Sequence, residues 1–173
     1  MVLIQDNWAH ELDSCFHAAG NHKHITFMGT GNPIKSDDSV GLHIISKLHD
    51  KYGTAPRKFV KIAHAKSLEA SLARLTRNSR ADVTDLFVIF DAIESNIPPG
   101  SILFANLATT EYGFFATHNV PLKLIPSIAN NIENVFVLGI QTETIGIGEE
   151  LSACVRNSAE LIIDKVSNLI EAA

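Results

Sequence analysis

Cysteine is scarce in this chain. Cys15 and Cys154 are the only two in 173 residues, and no CxxC spacing joins them. They are expected as reduced core residues of a cytoplasmic protein, with a single Cys15–Cys154 bridge as the alternative. Positive charge is also in deficit: 14 Lys and Arg against 19 Asp and Glu leave a net charge of −5. A nucleic-acid binder usually carries a basic stripe, so that class is set aside. No apolar run approaches the length that spans a bilayer. The N-terminus lacks the basic-then-apolar pattern of a secretory signal, so neither export nor membrane insertion is expected. Several catalytic signatures are missing as well. There is no GxSxG elbow, no HExxH pair and no GxxxxGK[ST] phosphate loop. Neither cysteine falls at an expected strand end, and no serine, cysteine or threonine nucleophile stands out. Internal repeats, low-complexity stretches and linkers are absent too.

What is present suffices for one domain with a sizeable core, at 46% hydrophobic residues. Residues 1–20 read as a helical extension, with Trp8, Leu12, Cys15, Phe16 and Ala19 at helical spacing and Gly20 to close it. A polar connection with His22 and His24 follows; those histidines are either metal ligands or, more simply, solvated. Residues 25–30 form a first buried strand. A helix after Asp38 shows Val40, Ile44, Ile45 and Leu48 on one face and ends near Gly53. Residues 59–65 are a second strand. Ser67 is placed to cap a helix carrying Leu68, Leu72 and Leu75. The clearest central strand is 85–92, DLFVIFDA, an unbroken apolar run that stops at Asp91. Pro98-Pro99-Gly100 turns the chain into a strand at 101–106, and this turn is expected to make one neighbouring pair antiparallel. Residues 109–118 read as irregular, 120–130 as helix, 134–141 as strand. A final helix, 149–172, packs through Leu151, Val155, Ile162, Val166 and Leu169. Alternating strands and helices imply an α/β fold: a largely parallel sheet of about five strands with helices on both faces.

Polar groups gather where strands give way to loops. Asp37 and Asp38 follow the first strand in Gly29-Thr-Gly-Asn-Pro-Ile-Lys-Ser-Asp-Asp. Asp91 ends the central strand, and Thr117-His118-Asn119 precedes the helix at Val120. In a parallel sheet, Asp38, Asp91 and His118 meet on one edge, where open α/β sheets bind ligands. Two carboxylates and an imidazole suit a borderline divalent ion such as nickel, zinc or iron, or acid–base chemistry on a water. The plainer alternatives remain. Asp37 and Asp38 also read as N-caps, and His118 as a satisfied loop histidine. Asp91 is harder to set aside, because an acid on a buried strand is costly unless something pairs with it. Gln141, ending the last strand, either lines the cleft or packs. The glycines at 29 and 31 invite a dinucleotide reading, but Ile34 stands where a third glycine belongs and no acid ends the second strand.

Taken together, GTGNPIKSDDSVG, FVIFDAIESNIPPG, THNVPLKLI and VFVLGIQTETIGIG resemble the [NiFe]-hydrogenase maturation endopeptidases, in order and spacing, over most of the chain. THNVPL and LGIQ look most like the branch serving formate-hydrogenlyase-type hydrogenases. The resemblance implies a three-layer α/β/α sandwich around a twisted sheet. It implies a peptidase that removes the C-terminal extension of the hydrogenase large-subunit precursor after nickel insertion. The family's nickel-contacting acid, strand-end Asp and loop His fall on Asp38, Asp91 and His118. These are therefore the expected catalytic and metal-contacting residues, with nickel supplied by the precursor. One segment departs from the family: Ala63-His64-Ala65-Lys66-Ser67 replaces an Asp-Gly-Gly type of sequence. A nickel-dependent module that docks on a precursor without cutting it is the alternative function, and a phosphate-binding α/β protein a third. The aromatic residues Tyr112, Phe114 and Phe115 either contact a partner or pack inward.

Overall fold

The computed structural model describes residues 7–19, 24–64, 86–107, 115–116, 135–148 and 150–173. In chain order these form α1 (Trp8–Ala19), β1 (Ile25–Gly29), a single 3-10 turn (Asp37–Ser39), α2 (Val40–Tyr52), β2 (Val60–His64), β3 (Leu86–Glu94), β4 (Ile102–Asn106), β5 (Phe115–Ala116), β6 (Val135–Gln141) and α3 (Ala153–Ala172). The architecture is α/β, as the alternation of patterns requires. The sheet runs β2-β1-β3-β6-β4, and the short β5 pairs with β3. The pairs β1–β2, β1–β3 and β3–β6 are parallel.

Continuous apolar strands belong in a sheet covered on both faces. Ile25, Phe27, Val88, Phe90, Leu138, Ile140, Ile102 and Phe104 share one face and one core with α1, α2 and α3. Phe27 and Phe90 stack across β1 and β3 at 5.8 Å. On the other face Met28, Ile89, Ile93 and Val137 are buried as well. The apolar stripe anticipated for α2, Val40, Ile44, Ile45 and Leu48, is wholly buried; the five positions anticipated for the last helix are buried too, although that helix begins at Ala153 and Leu151 precedes it. The N-terminal helix contributes Leu12 and Phe16 to the same core. Its Asp13 meets Lys165 of α3 at 2.6 Å. The helices expected at 67–75 and 120–130, which would supply the third layer, lie outside the described residues. Cys15 and Cys154 are both free thiols. Among the described residues no helix is long and apolar enough to cross a membrane.

Three details differ from expectation. The turn at Pro98-Pro99-Gly100 reverses the chain and gives one antiparallel neighbouring pair, as expected, but β4 does not lie beside β3. β6 inserts between them, and the antiparallel partner of β4 is β6. The central strand does not stop at Asp91. It runs on to Glu94, because Ala92 and Ile93 are still paired with β6 and because Ile93 and Glu94 pair with β5. β5 itself falls in a stretch read as irregular; two residues are too short to carry a periodic signal.

The contact that positions α2 is between backbones. Gly29 pairs with Phe90 at the end of β1, and the Thr30 N–H donates to the Phe90 carbonyl at 3.0 Å. A Cβ on Gly41 would run into the carbonyl oxygens of Phe90 and Thr30. A Cβ on Gly29 would run into the Gly41 carbonyl. The glycines of the first motif thus let a helix sit against strand ends, and the loop's resemblance to a dinucleotide fingerprint has this packing explanation. Replacing Gly41 with Ala should destabilise the protein by roughly 1–3 kcal/mol, since neither obstacle is a flexible side chain. Urea unfolding of the variant checks this, and an unchanged midpoint would refute the close-packing role.

Candidate active site at the carboxyl ends of the first and third strands

The order β2-β1-β3 means that the chain leaves β1 toward one side of the sheet and leaves β3 toward the other. The crevice between their carboxyl ends is the switch point of this sheet, where open α/β folds place ligands. Asp91 lies one residue beyond Phe90, the partner of the last residue of β1. It therefore stands in the sheet where β1 has already ended. Its partner on the other side is Gly139 of β6, which presents no side chain. The loop leaving β1 returns above this spot as the 3-10 turn that leads into α2, and Asp38 is the middle residue of that turn. Two contacts hold the Asp38 backbone. Its carbonyl accepts from the Asn32 N–H at 3.1 Å. Gly31 lies so close that any side chain there would strike the same carbonyl.

Asp38 is 1% exposed and Asp91 2%. The Asp91 carboxyl is pushed up to about 8, first by burial and then by the negative charge of Asp38; a hydrogen bond from the Ala92 N–H, at 2.9 Å, works against both. Two acids far apart in sequence thus share one water-poor site close enough to feel each other. Acids perturbed as Asp91 is cluster at functional sites.

The third expected member, His118, lies outside the described residues. Among the described residues no group of three or more metal-type side chains forms. Tyr112 and Phe114 are outside the described residues too, as is everything from 65 to 85. Of the departing segment only Ala63 and His64 are described, and His64 pairs with Gly29 at the far side of β1 from Asp91.

Asp37 behaves differently from its neighbour. It is fully buried. One carboxylate oxygen accepts the N–H groups of Glu143 at 2.8 Å and Thr144 at 2.9 Å and the hydroxyl of Ser152 at 3.0 Å. The other accepts the Ser152 N–H at 2.7 Å. The N-cap of α2 is Ser39, so neither aspartate caps that helix, and the capping reading fails for both. Asp37 instead places its charge at the start of α3, just before Ala153, where a helix dipole favours an anion. Sequence reasoning missed this role because every partner is more than a hundred residues away. Gln141 also resolves toward a structural part: its side-chain oxygen accepts the Ser95 N–H at 2.8 Å and its amide donates to the Thr142 carbonyl at 3.2 Å.

No family model matches the chain. In sequence it is 26% identical over 171 residues to a protein provisionally named a hydrogenase maturation protease in Methanocaldococcus jannaschii, covering 87% of this chain and 90% of that one. In structure it is similar to the [NiFe] hydrogenase maturation protease HycI of Thermococcus kodakarensis, with a TM-score of 0.68 at 21% identity, over 91% of this chain and 99% of that one. The endopeptidase HycI of Escherichia coli aligns with a TM-score of 0.65 at 22% identity, over 82% and 87% of the two chains. The maturating endopeptidase HybD of Escherichia coli gives 0.63 at 20%, over 87% and 94%. At such identities the structural likeness establishes a shared fold.

The Asp91 carboxyl makes a prediction about the metal-free protein. Its folded value of about 8 lies above the ordinary 3.8, so the folded state binds a proton that the unfolded state has lost. The stability due to that proton is complete below pH 4 and is lost as pH rises toward 8, at up to roughly 1.4 kcal/mol per pH unit. Asp91→Asn removes the charge and should therefore stabilise the protein at pH 8, by roughly 4 °C or more in melting temperature, while changing little at pH 4. Melting curves across that range check the sign; a difference independent of pH would refute it.

Proposed function

We propose that this chain, which has the fold of the hydrogenase maturation proteases and resembles one of them across its length, is an endopeptidase that removes the C-terminal extension of a [NiFe]-hydrogenase large-subunit precursor. The observation that carries the proposal is the buried Asp38–Asp91 pair at the switch point of the sheet. Two acids held together in a water-poor crevice, in a fold whose named relatives are proteases, suit hydrolysis at a site that receives a cation. In this reading the nickel arrives with the precursor and is part of the substrate. Asp38 and Asp91 contact it as anions and His118 as a neutral nitrogen donor. The metal would serve as the recognition signal that positions the peptide tail.

No serine, cysteine or threonine nucleophile is invoked. Water adds to the peptide carbonyl, the C–N bond breaks, and the departing amine takes up a proton. The THNVPL and LGIQ segments favour a precursor of the formate-hydrogenlyase-type hydrogenases, processed in the cytoplasm. The docking module that does not cut is the weaker reading, since the relatives are named as proteases and endopeptidases.

The test is the mass of a cognate precursor after incubation with this protein, nickel-loaded and nickel-free in parallel. Loss of a C-terminal peptide from the nickel-loaded form alone is expected. Cleavage of both forms would remove nickel from recognition. An intact precursor bound in a stable complex would replace the peptidase with the docking module. Asp38→Asn should reduce cleavage by at least ~100-fold while leaving the melting temperature within a few degrees. Normal processing by that variant would overturn the site assignment.

A further inference from the structure

Asp37 is the buried acid that the proposed chemistry does not use, and its carboxylate accepts four hydrogen bonds. Its four accepted hydrogen bonds all come from the segment between β6 and α3. The same two stretches of chain are joined by further contacts. The Ser36 hydroxyl donates to the Glu150 carbonyl at 2.8 Å. The Asp37 N–H donates to the Thr144 carbonyl at 3.3 Å, and the Gly148 N–H to the Ile34 carbonyl at 3.0 Å. Lys35 and Ile147 form an isolated antiparallel bridge. The outer side of this clasp exposes three isoleucines among polar neighbours such as Glu143 and Glu150: Ile34 is 61% exposed, Ile145 38% and Ile147 92%. These three, with Leu161 of α3, are the large exposed hydrophobic side chains among the described residues. Three isoleucines on two loops that Asp37 ties together, one of them four residues before Asp38, form an unusual feature of the surface.

We propose that Asp37 is a positioning residue that pins the 143–152 segment to the first loop, and that the isoleucine rim so formed holds the peptide tail of the precursor beside Asp38. The inference rests on the peptidase reading, and the occupant follows from place: the segment leaves β6 at the carboxyl edge of the sheet, where Asp91 also stands on β3, and bonds to the backbone of Asp37, the neighbour of Asp38. The backbone of Asp38 is fixed by Asn32 and by the closeness of Gly31, and these contacts do not involve the Asp37 carboxylate. Loosening the clasp therefore leaves the reacting acids in place and removes the surface that receives the tail. An asparagine at 37 has one acceptor oxygen where the aspartate has two, so at least one of the four donors loses its partner.

Cleavage kinetics of the nickel-loaded precursor distinguish this role from a merely structural one. Asp37→Asn should raise KM by about tenfold with kcat within about twofold, the pattern of lost ground-state binding. A purely structural role would lower the folded fraction, which reduces apparent kcat at constant KM; that result would overturn the inference. Ile147→Ser provides a second variant, because so exposed a side chain contributes little to folding. It should raise KM in the same direction, and an unchanged KM would also overturn the inference. Cleavage by the unsubstituted protein with no KM change in either variant defeats this inference alone. No cleavage by the unsubstituted protein defeats the peptidase reading and this inference with it.

Discussion

The architecture of the site depends on how closely the first turn of α2 approaches the ends of β1 and β3. Gly41 sits against the carbonyls of Thr30 and Phe90, and Gly29 against the carbonyl of Gly41. A methyl group at either position would lift the helix from the sheet. Because the approach is that close, the turn preceding α2 is delivered onto the strand ends, and Asp38 comes within electrostatic reach of Asp91. Packing density and function are thus set by the same glycines. They need no special flexibility at these two places, only the absence of a side chain.

Two neighbouring aspartates then meet opposite fates. Asp37 spends its charge on four donors and on the start of α3, which makes its burial inexpensive. Asp91 is buried at the expense of its charge: its carboxyl is pushed up to about 8, chiefly by burial and further by Asp38, so it holds a proton at neutral pH. Local conflict of this kind is expected where a site is built to receive something. Under the proposed function, a cation brought by the loaded precursor would favour the ionised form of Asp91.

Much of the scaffold was legible because burial imposes period. The stripe Val40, Ile44, Ile45 and Leu48 identified α2, and the unbroken run around Phe90 identified the central strand. The resemblance of the first motif selected Asp38, and cost of burial selected Asp91 before any contact was known. What was not legible followed from partners distant in sequence. β6 lies between β3 and β4 although it comes last in the chain. β5 is too short to announce itself. The work of Asp37 could not be told from that of Asp38, since the two are adjacent acids in one loop and only one of them faces the segment before α3.

The sequence by itself determined the class of fold, the glycine positions that permit close packing, and the presence of an acid on a buried strand. Those properties are local: they follow from side-chain size, polarity and period within a few residues. The tertiary structure decided which strand lies beside which, that Asp91 falls just past the end of β1, and that Asp38 charges its surroundings while Asp37 fastens them. These depend on register between segments up to a hundred residues apart, and hydrogen bonds and Coulomb interactions act at distances that only the folded chain sets.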